Sequence, residues 1–169
     1  MPSAFDQPQP LTAADVAALM RVQAGCYGPH LLESADLYAQ RLASPVQCSW
    51  GVRDGAGVLV AYLAAYWSVR GAITPLHGAF KSHPQPDTLY LHDLAVRPAQ
   101  AGQGLAQMLL QVAWRSAAAQ GIEQAALVSV QSTQRFWLRQ GFAAADAPPD
   151  LASYGGGAVY MTRLLNEKF

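Results

Sequence analysis

Charge is scarce in this sequence. Only 13% of its 169 residues are Asp, Glu, Lys or Arg, and eleven basic residues balance eleven acidic ones. No excess of positive charge is left to condense on a phosphate polymer or an anionic bilayer, so neither nucleic acid nor a membrane surface is an expected partner. Cysteine is nearly absent too. Cys26 and Cys48 match no metal-ligand spacing, and reduced, packed thiols are the expectation rather than a disulfide framework or a metal site. No basic segment followed by an apolar one stands at the start of the chain, so no secretory signal is visible and the cytoplasm is the expected compartment. The longest apolar run, Val58 to Trp67, has about half the length that a membrane-spanning helix needs, and reads as a buried strand. Repeats and low-complexity tracts are missing as well.

What is present suits a packed core, since 51% of the residues are hydrophobic. The length fits one domain, residues 1–169, in which the first ten, MPSAFDQPQP, are the segment expected to be flexible. Val16, Leu19, Met20 and Val22 behind Thr12 predict a first helix, and Leu37, Tyr38 and Leu42 behind Ser34 a second. CSWGVR and VLVAYLAAYW flank Asp54-Gly55-Ala56-Gly57, which predicts an antiparallel hairpin. From Arg70 to Asp87 glycine and proline recur without a period, and a loop of this length is often functional. TLYLHDLAV then predicts a strand, Gly104 to Ala119 a helix closed by Gly121, AALVSV a strand, Ser132 to Gln140 a short helix, and GGAVYMTRLL a last strand. This order describes a mixed α/β sheet with helices on both faces.

The informative stretch is LYLHDLAVRPAQAGQGLA, residues 89–106, where a strand, a turn and a helix start follow one another. Amides at a helix start have no intrahelical partner and sit at the positive end of the macrodipole, so an anion fits there. A side chain is missing at Gly104, which lets a phosphate approach the backbone closely. A P-loop needs Gly-Lys-Ser/Thr at the end of the turn, whereas this turn continues Gly104-Leu105-Ala106. A dinucleotide fingerprint needs a third glycine where Gln107 stands.

The segment resembles motif A of the GNAT superfamily of N-acetyltransferases. Leu94-Ala95-Val96, Pro98, Gly104 and Ala106 match its strand end and turn, with Gly102 at a position where many members also carry glycine. Downstream, VSVQSTQRFWLRQGF resembles the family's second cofactor-side segment, ending at Gly141-Phe142. The resemblance implies a mostly antiparallel sheet of about six to seven strands whose central strands splay, and acetyl-CoA or coenzyme A as cofactor. It implies that Leu94, Ala95 and Val96 meet the pantetheine and the thioester, and that Ala101, Gly102, Gln103, Gly104, Leu105 and Ala106 hold the pyrophosphate. Ser132 and Trp137 fall on the same cofactor-side segments. Two positions depart from the pattern. Ala101 stands where the family has Gln or Arg, which leaves Gln100, Gln103 or backbone to make that contact. Trp137 stands where many members have a tyrosine that protonates the departing thiolate, and an indole N–H does not release a proton near neutral pH.

The implied activity is transfer of an acetyl or acyl group to a primary amine of a small molecule or peptide, by a monomer or homodimer. A non-catalytic acyl-CoA-binding module and a transferase for longer acyl chains are the alternatives. An attacking amine must lose a proton, and His92, on the strand ahead of Leu94, is the expected base. Asp93 is the second candidate, and strand alternation sends the two to opposite faces unless a bulge intervenes. Ser132, Tyr154 or solvent could replace the missing acid, because a thiolate is a tolerable leaving group. Tyr66, Trp67 and the loop containing Ile73, Pro75, Leu76 and His77 are expected to line the acceptor pocket, while His30 and His83 read as solvated loop residues.

Overall fold

The computed structural model of the chain describes residues 4–166. The hairpin forms where the turn chemistry places it. Asp54 Oδ1 accepts the N–H groups of Ala56 and Val58 at 3.0 Å each, and Gly57 takes the left-handed φ of 78° that an L side chain resists. Strands β2 (Trp50–Arg53) and β3 (Leu59–Ser68) pair antiparallel on either side of it. Thr12 caps a 3-10 turn that leads into α1 (Val16–Cys26), and Ser34 Oγ accepts from Leu37 N at the start of α2 (Ala35–Ala43).

Residues 4–10 are not the loose end that their composition suggests. β1 (Gln9–Pro10) pairs with β2, Asp6 N donates to Arg53 O at 2.9 Å, and Leu11 is buried. A two-residue strand carries no period, so backbone pairing against a formed sheet edge decides its structure.

The long loop delivers the chain to β4 (Thr88–Val96), which leads through the 3-10 turn Pro98–Gln100 into α3 (Leu105–Ala119). Then follow β5 (Gln124–Ser129), α4 (Gln134–Arg139), β6 (Ala143–Ala144) and β7 (Val159–Leu164). The helix expected from Ser132 starts instead at Gln134, because Gln131 and Ser132 take left-handed φ values of 52° and 60°. The sheet has seven strands in the order β1-β2-β3-β4-β5-β7-β6, antiparallel except for β4 against β5. α3 and α4 pack on one face over Val60, Leu63, Leu89, Leu91, Leu127 and Met161. α1 and α2 cover the other, over Tyr62, Tyr66, Tyr90, Ala126 and Val128. Among the described residues no helix is long and apolar enough to cross a membrane.

The central strands part as the fold family implies. Pairing of β4 with β5 runs from Thr88 opposite Gln124 to Leu91 opposite Leu127 and stops, although β4 continues to Val96 and β5 to Ser129. The cause lies on the other side of β4. There the register against β3 passes from Ala65 opposite Leu91 to Ala64 opposite Asp93, so His92 is an extra residue with no partner. A bulge bends its strand and increases the twist. This one falls immediately after the last β4–β5 pair.

Candidate active site

The turn before α3 is built for an anion. Gly102 and Gly104 both adopt left-handed φ, 77° and 79°, which aims successive amides toward one side. From Gly102 to Gln107, six consecutive N–H groups find no acceptor among the described residues, the first helical bond being Met108 N to Gly104 O. A Cβ built on Gly104 meets nothing within 4 Å, so the space in front of the turn is open and the backbone conformation is what requires glycine. Ala101 lies outside this array, its N–H donating to Pro98 O at 3.1 Å. Gln103 is exposed, Leu105 is buried in the core, and Ala106 faces the cavity described below. Backbone donors are therefore present where the Gln or Arg side chain is missing. This donor set fits a diphosphate.

Arg97 N donates to Val60 O, which in an antiparallel ladder turns the backbone of Ala95 toward β3 and that of Leu94 and Val96 into the gap. Two carbonyls there already have partners. Leu94 O lies 3.1 Å from Tyr27 Oη, sharing with Asp93 the one hydroxyl hydrogen, and Val96 O accepts from Cys26 Sγ at 3.2 Å. The N–H groups of Leu94 and Val96 face the opening, whereas Ala95 offers it no backbone group.

Behind the gap lies a cavity of about 260 Å³. Leu94, Val96, Ala106, Thr133, Phe136 and Trp137, from the segments expected to meet the cofactor, line it together with Leu31, Leu76 and Tyr154. His92 lines it too, its side chain 2% exposed. His92 Nε2 lies 2.7 Å from Glu33 Oε1, and Nδ1 lies 3.5 Å from Tyr154 Oη, whose own hydrogen goes to Thr74 O.

Glu33 is the residue that sequence reasoning missed. It sits 59 positions from His92, in the segment between α1 and α2. Gln23 fixes that segment by a reciprocal pair of bonds to the Glu33 backbone, 3.0 and 2.9 Å. Arg41 of α2 grips the carboxylate with both terminal nitrogens, at 2.8 and 2.6 Å, and the His77 N–H adds a bond of 2.9 Å. Burial pushes the Glu33 carboxyl up, but His92 and Arg41 together outweigh it and hold the group well below the usual carboxylate range. Burial likewise opposes the Arg41 cation and Glu33 restores it. Arg41 also donates to Gly78 O, tying the 70–87 loop to the same cluster. No motif spacing links these positions, and Glu33 looks like any surface acid until α1, α2 and β4 are assembled.

Because of the bulge, His92 and Asp93 share a face, which corrects the alternation expected of a regular strand. They nonetheless have different partners. Asp93 accepts the hydroxyls of Tyr27, Tyr38 and Tyr62, the Tyr38 bond measuring 2.6 Å. Burial and then the Asp93 charge hold all three phenols well above their usual range, so they remain donors. This is a satisfied buried carboxylate.

Of the residues expected in the acceptor pocket, Leu76 lines the cavity and the others lie elsewhere. Tyr66 is 2% exposed, stacked 4.3 Å from Phe80 and bonded to Thr74, and Trp67 packs on the α3 face, so both belong to the core. His77 holds Glu33 through its backbone, with φ at 65°, while its neighbour Leu76 lines the cavity. On the cofactor side Thr133 lines the cavity and Ser132 is exposed, and Trp137 lies edge-on to Phe136 and Phe142. Tyr154 is on the acceptor side, its phenol pushed up chiefly by burial. Both cysteines are free, and burial pushes their thiols up.

Solved structures share this fold. A GNAT-like decarboxylase, GphF, in complex with isobutyryl-CoA aligns over 95% of this chain and 100% of its own, with a TM-score of 0.75 and 19% identity. The loading GNATL domain of CurA from Lyngbya majuscula gives a TM-score of 0.77 at 12% identity, covering 98% and 100% of the two chains. The ribosomal-protein-S18-alanine N-acetyltransferase from Escherichia coli gives 0.69 at 15% identity, covering 98% and 96%. No curated protein sequence matches the chain. The acetyltransferase (GNAT) family profile matches residues 16–142, three quarters of the chain and both of the strands that part, so the chain belongs to the acetyltransferase (GNAT) family.

Proposed function

We propose that this chain is an acyl-CoA-dependent N-acyltransferase, with acetyl-CoA the first donor to test, acting on a primary amine by direct attack in a ternary complex. The observation that carries the reading is that the cavity lined by His92 reaches Ala106, one of the six residues of the α3 turn whose amides are unpaired. Bound there, an acyl-CoA would supply a thioester carbonyl as electrophile. The amides of Gly102 to Gln107 would hold its diphosphate, and the N–H groups of Leu94 and Val96 would meet the pantetheine arm.

An alkyl ammonium has a pKa of about 10.4, so presenting it as a neutral nucleophile at pH 7 costs about 4–5 kcal/mol. His92 offsets part of that by taking the proton. The amine nitrogen bonds to the carbonyl carbon, the carbon–sulfur bond breaks, the nitrogen releases its second proton to solvent, and solvent protonates the thiolate, since Trp137 offers no acid. Leu31, Leu76 and Tyr154 exclude water on the acceptor side. Both carboxylates of the wall are engaged, Asp93 by three phenols and Glu33 by Arg41 and His92. A monoamine with an apolar body therefore suits the site better than a polyamine.

One observation favours a second reading, loss of carbon dioxide from a carboxylated acyl-CoA. That reaction keeps the thioester intact and so needs no acid at sulfur, the group that Trp137 replaces; a proton from the site takes the place of the carboxylate. The full-length likeness to a GNAT-like decarboxylase prompts the same test.

Coenzyme A is expected to raise the melting temperature of the protein, and Gly104→Glu to abolish that rise, because a side chain and negative charge would occupy the anion site. An unchanged rise in the variant refutes the placement. Incubation with acetyl-CoA and an amine panel should release free thiol. Carbon dioxide from malonyl-CoA without thiol release would select the second reading, and stabilisation without turnover of either kind would mark a binding module.

A further inference from the structure

We infer that Glu33, backed by Arg41, is a positioning residue that fixes the proton of neutral His92 on Nε2 and leaves Nδ1 as the nitrogen that faces the cavity. The inference deepens the proposed reaction and rests on it for its catalytic meaning, though not for its structural content. Glu33 Oε1 lies 2.7 Å from Nε2 and is itself 3% exposed, so the contact has no room for water to substitute. A carboxylate can only accept. With both Arg41 nitrogens and the His77 amide donating to it, Glu33 stays ionised, and the hydrogen in the Glu33–His92 bond belongs to the ring.

The other ring nitrogen meets an acceptor, so the choice of tautomer rests with the shorter contact to the Glu33 carboxylate. Tyr154 Oη, 3.5 Å from Nδ1, gives its hydrogen to Thr74 O at 2.7 Å and so presents oxygen, not a proton, to the ring. Neutral Nδ1 is therefore an unprotonated base at the cavity, and after taking a proton it can donate to Tyr154. Without Glu33 the neutral ring would gain by the opposite choice, Nδ1–H toward Tyr154, which would turn the basic nitrogen away from the cavity. The carboxylate thus selects between two tautomers of equal composition. Arg41 balances its charge and, through Gly78 O, makes the arrangement depend on the 70–87 loop being seated.

The test reads the ring directly. In protein carrying ¹⁵N-histidine, long-range ¹H–¹⁵N correlation at a pH where His92 is neutral should show protonated Nε2 and bare Nδ1. Glu33→Gln, whose amide can both donate and accept, should give a mixture of tautomers or the Nδ1–H form. It should also lower kcat roughly 10- to 100-fold while leaving the coenzyme A-induced thermal shift unchanged. Wild-type His92 protonated at Nδ1, alone or with Nε2 throughout the stable pH range, overturns the inference. So does a Glu33→Gln protein that keeps the wild-type tautomer. If that variant does not fold, the wild-type spectrum alone decides. If no amine is ever acylated, the reaction fails while the tautomer is still read.

Discussion

The two halves of the cavity are built by different means. The cofactor side is a matter of backbone, since left-handed Gly102 and Gly104 and the start of α3 expose six amides within one short stretch. The acceptor side is a matter of side chains drawn from four distant places: Glu33 before α2, Arg41 within it, His92 on the bulge of β4, and Tyr154 from the 3-10 turn Pro149–Tyr154. A backbone site depends little on the side chains at neighbouring positions such as Ala101. A side-chain site fails as a unit, because each member satisfies a charge or donor of the next.

That contrast can be broken by experiment. The largest expected effect is on rate: His92→Ala should lower kcat/KM for the amine roughly 10²- to 10⁴-fold while coenzyme A still raises the melting temperature. If the thermal shift is lost as well, the halves are not separable. Next is stability. Arg41→Leu leaves Glu33 buried without its cation and should cost about 3–5 kcal/mol, read from the urea midpoint. A loss below about 1 kcal/mol would show that water reaches the pair.

The smallest effect is on acid sensitivity. Glu33 is held below its ordinary 4.5, so its contribution to stability is complete above that pH and is lost as pH falls toward the lower, folded value. Glu33→Gln should therefore lose less stability than wild type on acidification from pH 6 to pH 3. Equal slopes would mean that the carboxylate is not held down in the fold.

The difference between the halves also explains what could be read from the letters. The β4–turn–α3 segment is local, its signal lies in glycine positions and a strand end, and β4 and α3 form where the pattern puts them. His92 was legible as a histidine on that strand. Its bulge was not, since an extra residue in one strand shows only when the opposite strand is in register. Asp93 could not be told from a candidate base, because its three phenols come from α1's end, α2 and β3. Tyr66 and Trp67 misled in the opposite direction. An aromatic pair at the end of a buried strand carries no mark of whether it meets a cavity or a core, and here Phe80 and the α3 face take them.

By itself the sequence determined the longer elements, the glycine turn before α3 and the family, because each depends on contacts within a few residues: hydrophobic period, cap, turn and glycine φ. Only the tertiary structure decided which titratable groups meet. The ion pair of Glu33 with Arg41, the lodging of His92 against that carboxylate and the sealing of Asp93 by tyrosines all arise where helices and sheet close over buried charge. There, desolvation makes every polar group depend on its partner.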